Sequence, residues 1–457
     1  MTCTNRPAVE DKGMPTLNAS TARQLNNLIE FRQTVYEQIL TGARDAQFEL
    51  MDALLLSDHP SCFAELSLSP LFRRQWPSAY GAIEEGSQDG QQLGHCFLRQ
   101  VPRQGVQVFP LDTTVWAHPS ARTLSGLVYA PSPTKALKRH SIVQGHLYSL
   151  LTWTPEPGRS WSLTINSQRI EPDQTAIEVG VAQVKQLCQA RPDPMKRGLD
   201  VIVGDGHYGN HHFFRPLKGL PCAALSRLRR DRVLYTAPGR YGGRGRPTVH
   251  GARFAFKEPE TWPQPDEMVE FSHERWGQVR LRRWGNLHAK QDAETSFDVI
   301  LAEVHLQREK PSEPLWLGYL EGHIAYPLRE VWSWFDYRWP IEPSIRFRKQ
   351  NLCWTLPHFQ TSESCDRWTH LVDLAYWQLF LASQLVSDQP LPWQKAQAIF
   401  TPGRVLRGLA AIFSQIATPA QPPKPRGKSP GWPKDCPRSR PQRYKPTKRG
   451  KTKAKTA

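Results

Sequence analysis

The chain has 457 residues, 59 Lys and Arg against 42 Asp and Glu, a formal net charge of +17, and 16 tryptophans. Such a length can bury a large core and predicts roughly two to four domains. The positive balance predicts a polyanionic partner, nucleic acid ahead of an anionic membrane surface. No apolar run approaches the ~20 residues that cross a bilayer. The N-terminus lacks the basic-then-apolar order of a secretion signal, so a cytoplasmic protein with no membrane partner is expected. The eight cysteines (Cys3, Cys62, Cys96, Cys188, Cys222, Cys353, Cys365 and Cys436) form no pair with a two-residue gap. That pattern argues against a zinc ribbon or a disulfide framework and for packed, reduced thiols.

In chain order, residues 1–19 read as disordered, and residues 20–100 as a helical N-terminal domain. Leu25, Leu28, Ile29, Val35, Ile39, Phe48, Met51 and Leu54 recur there at helical spacing. Arg73, Arg74 and Trp76 cluster at a helix boundary, where they serve either DNA contact or an ordinary helical cap. From about Val106 the texture turns to β. GVQVFPLDTTVWA places Asp112 after a short apolar run, and residues 140–153 and 160–170 read as two further strands. A helix is expected from about Asp173 to Ala190. LDVIVGDGHYGN (199–210) reads as a buried strand ending at Asp205, with Gly206 allowing a sharp exit. Residues 105–230 thus predict the first part of an α/β, ribonuclease-H-like catalytic core.

SRLRRDRVLY (226–235) is a basic strand candidate carrying Arg227, Arg229, Arg230 and Arg232. It leads into a Gly/Arg loop suited to a phosphate backbone or to a flexible linker. Residues 231–322 read as a β-rich insertion. Within it, Trp276 and Trp284 are interleaved with arginines and could stack an extruded base or pack beneath arginine stems. Residues 323–390 complete the core and 391–420 form a helical segment. From Gln421 onward 13 Lys and Arg stand against one acid, with eight prolines. This tail, 421–457, is expected to be disordered and to add salt-sensitive DNA affinity.

One segment organises these elements. In VWSWFDYRWPIEPSIRFRKQ (331–350), Pro340 suits the first turn of a helix, and Glu342, Arg346 and Lys349 follow at spacings of four and three. One face then carries an acid followed by two cations, a pattern suited to holding a metal and phosphates or, equally, to a salt-bridged surface helix. Phe335, Arg338, Glu342 and Lys349 also resemble the Tyr, two residues, Arg, three residues, Glu, six residues, Lys signature of the insertion-sequence-four group of bacterial DDE transposases. Phe335 departs from it, since a phenol hydroxyl is missing while ring packing is retained.

The resemblance implies that Asp112, Asp205 and Glu342 are the catalytic carboxylates. They would hold two Mg²⁺ ions, or Mn²⁺, on a ribonuclease-H-like fold. Arg338, Arg346, Lys349, Arg229 and Arg230 would contact DNA. Phosphodiester transfer calls for two metals about 3.5–4 Å apart, and holding them requires several carboxylates. The implied partners are the element's terminal inverted repeats and target DNA, with a dimer expected in the synaptic complex. Two other readings are open: a transposase-derived protein that binds DNA without cutting it, and a glycosidase using paired carboxylates. The basic charge argues against the glycosidase.

Overall fold

The computed structural model describes residues 19–58, 60–131, 142–192, 198–243, 245–305, 313–425, 431, 437 and 440–448. Most of the tail, the predicted N-terminal disordered stretch up to residue 18, and Arg244 of the Gly/Arg loop lie outside them. Helices α1 (Ala19–Thr34), α2 (Arg44–Leu56), α3 (Pro77–Glu84) and α4 (Gly90–Gln100) come first, with a short pair formed by β1 (Leu40–Gly42) and β2 (Ser87–Gln88). The central strands follow: β3 (Gln107–Ala117), β4 (Val128–Pro131), β5 (Ile142–Trp153), β6 (Leu163–Ile170), helix α5 (Ala176–Ala190) and β7 (Asp200–Gly204). Thr175 and Glu178 close a capping box that fixes the start of α5. Helix α6 (His211–Leu217) leads to β8 (Cys222–Arg227).

The strands β6, β5, β3, β7 and β8 lie side by side in that order. β3 is antiparallel to β5 and parallel to β7, and β7 is parallel to β8. This mixed α/β sheet is consistent with a ribonuclease-H-like fold. β7 shows why it is buried on both sides: Ile202 enters one apolar cluster while Val201 and Val203 enter the other, all fully buried. On the Ile202 face lie α5, α1 to α4 and the long helix α9 (Ser362–Ala382), which contributes Trp368 and Trp377. The N-terminal helices share this cluster with the sheet and α9. On the other face lie Val331, Trp332 and Trp334.

Residues 231–322 contribute β9 (Val233–Tyr235), β10 (Arg253–Ala255), β11 (Glu267–His273), β12 (Gly277–Ala289), β13 (Asp292–His305) and β14 (Leu315–Leu320). They continue the central sheet, because β14 pairs antiparallel with β8 through Leu317–Arg227 and Tyr319–Leu225. Twelve described strands therefore join one sheet.

Several sequence expectations need correction. The basic strand candidate 226–235 is two elements, β8 and β9, separated by a turn in which the Arg232 amide bonds the Arg229 carbonyl. Trp284 packs: it is 2 % exposed, and its indole N–H donates to the Pro263 carbonyl at 2.9 Å. Burial on this scale removes it from any base-stacking role. Trp276 is half-buried and donates to Asp336, while Arg275 lies over its ring. Arg73 and Arg74 both pair with the buried Glu49, and their other donors reach the carbonyls of Ala420 and Gln421. These arginines tie Glu49 to the carbonyls of residues 420 and 421. Part of the tail is also ordered: Thr447 bridges to Val128 on the edge strand β4, and the Tyr444 amide bonds the Arg122 carbonyl.

Candidate active site

The segment 331–350 is three elements: α7 (Leu328–Ser333), a 3-10 turn (Trp334–Arg338) and α8 (Ile341–Gln350). Pro340 caps α8 and Glu342 lies in its first turn. The 3-10 turn packs against β3, β7 and β8 on the Val201–Val203 face.

Strand register brings the first two carboxylates to that face. Asp112 sits within β3, two residues before Thr114, and not after the strand as the apolar run suggests. Leu111 pairs with Gly204 at the end of the parallel β3–β7 ladder, so Asp112 and Asp205 are the next residues on neighbouring strands, which stand about 4.8 Å apart. Alternation puts Asp112 on the side of Val108, and Asp205 on the side of Val201 and Val203. The turn after Asp205 is pinned by its own carboxylate, which accepts the His207 amide at 2.9 Å. Gly206 is not the tight position, since a Cβ there would approach only the Arg227 carbonyl, at 3.9 Å. The tight positions are Gly204, where a Cβ would lie 2.8 Å from Tyr208, and Gly209, where it would collide with the Arg227 carbonyl.

Arg338 links the third carboxylate to the first. Its guanidinium is 2.7 Å from Glu342 and 3.4 Å from Asp112. The Asp112 carboxyl is pushed up to about 6, first by burial; the Thr113 amide and Arg338 oppose this, while the charges of Asp205 and Glu342 add to it. Asp112 therefore feels the charges of both other carboxylates. Carboxylate oxygens are the hard donors that a divalent cation of the Mg²⁺ or Mn²⁺ type takes, but among the described residues these three are not gathered into one metal-sized group, and Arg338 stands between Glu342 and Asp112.

The predicted cations take different positions. Glu342 pairs with Arg338, four residues before it, leaving Arg346 exposed and in no ion pair among the described residues. Lys349 turns inward and donates at 2.7 Å to both the Thr114 hydroxyl and the Val115 carbonyl of β3. Its ammonium is pushed down to about 8 by burial and by the neighbouring Arg348. Arg229 and Arg230 are exposed and pair with Asp231 and Glu313. Both line a cleft of about 860 Å³ that also includes Asp205, Phe335 and Arg338.

Three residues carry weight that the sequence did not assign. Arg227 and Lys257 line the same cleft. Arg227 belonged to a visible arginine run, whereas no local signal marks Lys257, which long-range pairing delivers. Arg348, wholly buried, bonds Asp373 at 2.5 Å and Thr164 at 2.6 Å, anchoring α8 to α9 and β6. No spacing in the sequence singles it out.

The mixed sheet, with Asp112 and Asp205 on adjacent strands and a basic cleft beside Asp205, is consistent with a nuclease of ribonuclease-H-like fold. The family model described as "DDE superfamily endonuclease" matches residues 34–288, more than half of the chain, and the chain belongs to this family. The match includes Asp112 and Asp205 and ends before Glu342. Endonucleases of this superfamily act on DNA and generally use divalent metal ions. No curated protein matches the chain. No helix among the described residues is long and apolar enough to cross a membrane.

Proposed function

We propose that this endonuclease is the transposase of a bacterial insertion sequence of the insertion-sequence-four-like group. It cuts the element's terminal inverted repeats and joins the freed ends to target DNA. The reading is supported by the DDE endonuclease family match, by Asp112 and Asp205 standing next to one another on paired strands, and by the arginine-lined cleft beside Asp205. The three carboxylates would hold two Mg²⁺ ions, or Mn²⁺, which when bound supply activation of the attacking oxygen and stabilisation of the leaving one. Arg338 keeps Asp112 and Glu342 in place and presents positive charge at the mouth of the cleft. Arg229, Arg230 and the exposed Arg346 contact the phosphate backbone, which fixes register without reading sequence. Lys349 serves the site from beneath, by holding β3 against α8. Cleavage leaves a 3′-hydroxyl that attacks a target phosphodiester in a second displacement, and no covalent protein intermediate is needed. Two protomers would assemble on a pair of element ends.

The test is a plasmid carrying the gene's native flanking DNA, incubated with the protein and Mg²⁺. Breaks at fixed flanking positions, absent with Glu342→Gln although that variant still binds, are expected. Binding without breaks in wild type, with Mn²⁺ as with Mg²⁺, would replace the transposase with a DNA-binding protein that no longer cuts.

A further inference from the structure

A cluster of donors lies at the junction of β3, β5 and α9, six residues along β3 from Asp112. His118 is the first residue after β3, His146 lies within β5, and Cys365 is in the first turn of α9. One donor atom from each lies within 4.8 Å of the other two, and the residues are 3 %, 0 % and 0 % exposed. Nε2 of His146 is 2.8 Å from the Ser125 carbonyl oxygen. A carbonyl only accepts, so Nε2 carries the proton and Nδ1 is left with its lone pair. That buried Nδ1 has no hydrogen-bond partner among the described residues, and neither has Nε2 of His118. Buried polar atoms are nearly always satisfied, so two orphaned imidazole nitrogens beside a thiol ask for a ligand. An imidazole whose second nitrogen donates to a backbone carbonyl is oriented as metal-bound histidines are.

We propose that His118, His146 and Cys365 bind a thiophilic divalent cation of the zinc type, at a site separate from the carboxylates. Two imidazoles and a thiolate are the soft and borderline donors that zinc takes, at about 2.0–2.3 Å, whereas Mg²⁺ takes oxygens. Binding would displace the thiol proton to solvent as the cysteine becomes a thiolate. The ion would tie the end of β3, six residues beyond Asp112, to β5 and α9, giving it a structural role.

The experiment is a Co²⁺ titration of the full-length protein in excess Mg²⁺, read by the near-ultraviolet thiolate-to-cobalt charge-transfer band. Carboxylate-bound cobalt does not produce that band. One equivalent is expected to generate it in wild type, Glu342→Gln and the buried-thiol control Cys96→Ser, but not in Cys365→Ser or His118→Phe. Absence of the band in wild type, or its survival in Cys365→Ser, would overturn the site. Should the cluster variants fail to fold, zinc-edge X-ray absorption of the wild-type zinc complex decides. One sulfur and two nitrogens around the metal support the site, and an all-oxygen shell refutes it.

Discussion

Arg338 has two partners of like charge, Glu342 at 2.7 Å and Asp112 at 3.4 Å, and is itself largely buried. The planar guanidinium can serve both carboxylates, which a lysine ammonium on a flexible stem does poorly. Arg338→Ala is expected to lower the cleavage rate by about 10²-fold, the scale of losing one preorganised charged donor. Arg338→Lys should fall between that and wild type, because it keeps the charge and loses the fork. Single-turnover cleavage of an end-containing duplex at saturating protein measures this directly. Equal rates for wild type and Arg338→Ala would show that the arginine is a spectator. The spacing from Arg338 to Glu342 was legible in the sequence, since it spans one helical turn. The partnership with Asp112, 226 residues away, was not, because only the β3–β7 register and the 3-10 turn create it.

At the level of elements, α8 is held by two cations that point inward. Arg348 is wholly buried against Asp373, which also accepts from Thr164 at 2.9 Å and Ser167 at 2.6 Å. Removing one partner strands the other charge, so Arg348→Met should cost about 3–5 kcal/mol of stability. Arg348→Met with Asp373→Leu should recover much of that loss, and denaturant melts of the three proteins provide the comparison. Lys349 offers a pH signature. Its folded pKa lies at about 8, below the roughly 10.4 of an unfolded lysine. Between those values the unfolded chain binds more protons, so the contribution of Lys349 to stability grows as pH rises and is lost as pH falls through 8. The stability difference between wild type and Lys349→Met should therefore shift in favour of wild type from pH 8 to pH 10. A difference that stays flat over that range would mean the ammonium is not desolvated. Spacing made Arg346 and Lys349 look alike; the rotation of α8 against β3 separates them, leaving Arg346 exposed and turning Lys349 inward. By contrast, the strand at Asp205 was readable almost to the residue, because an unbroken Val-Ile-Val run ending in Gly-Asp has few other solutions.

For the molecule as a whole, the β-rich insertion was recognisable from alternation, but its attachment was not, since no local pattern encodes β14 pairing with β8. That pairing matters because it makes one wall of the cleft from the core and another from the insertion. Arg227, Arg229 and Arg230 follow from β8, Lys257 from the turn after β10, and Phe335 and Arg338 from the 3-10 turn. The cleft therefore carries its positive charge from three separate parts of the chain beside Asp205. If DNA lies in it, each phosphate contact adds to the salt dependence of binding by about 0.9 in the slope of log K against log salt. Arg229→Ala with Arg230→Ala should then lower the magnitude of that slope by about 2 and weaken binding to matched and unrelated duplexes alike. The exposed pairs with Asp231 and Glu313 are worth little to folding, so the melting temperature should hardly move. Lys257→Gln should remove about one further unit of slope, although it lies far from both arginines in sequence. Salt titrations of a fluorescent duplex across these variants distinguish a DNA path through the cleft from one along another basic surface. An unchanged slope in the triple variant would place the DNA elsewhere.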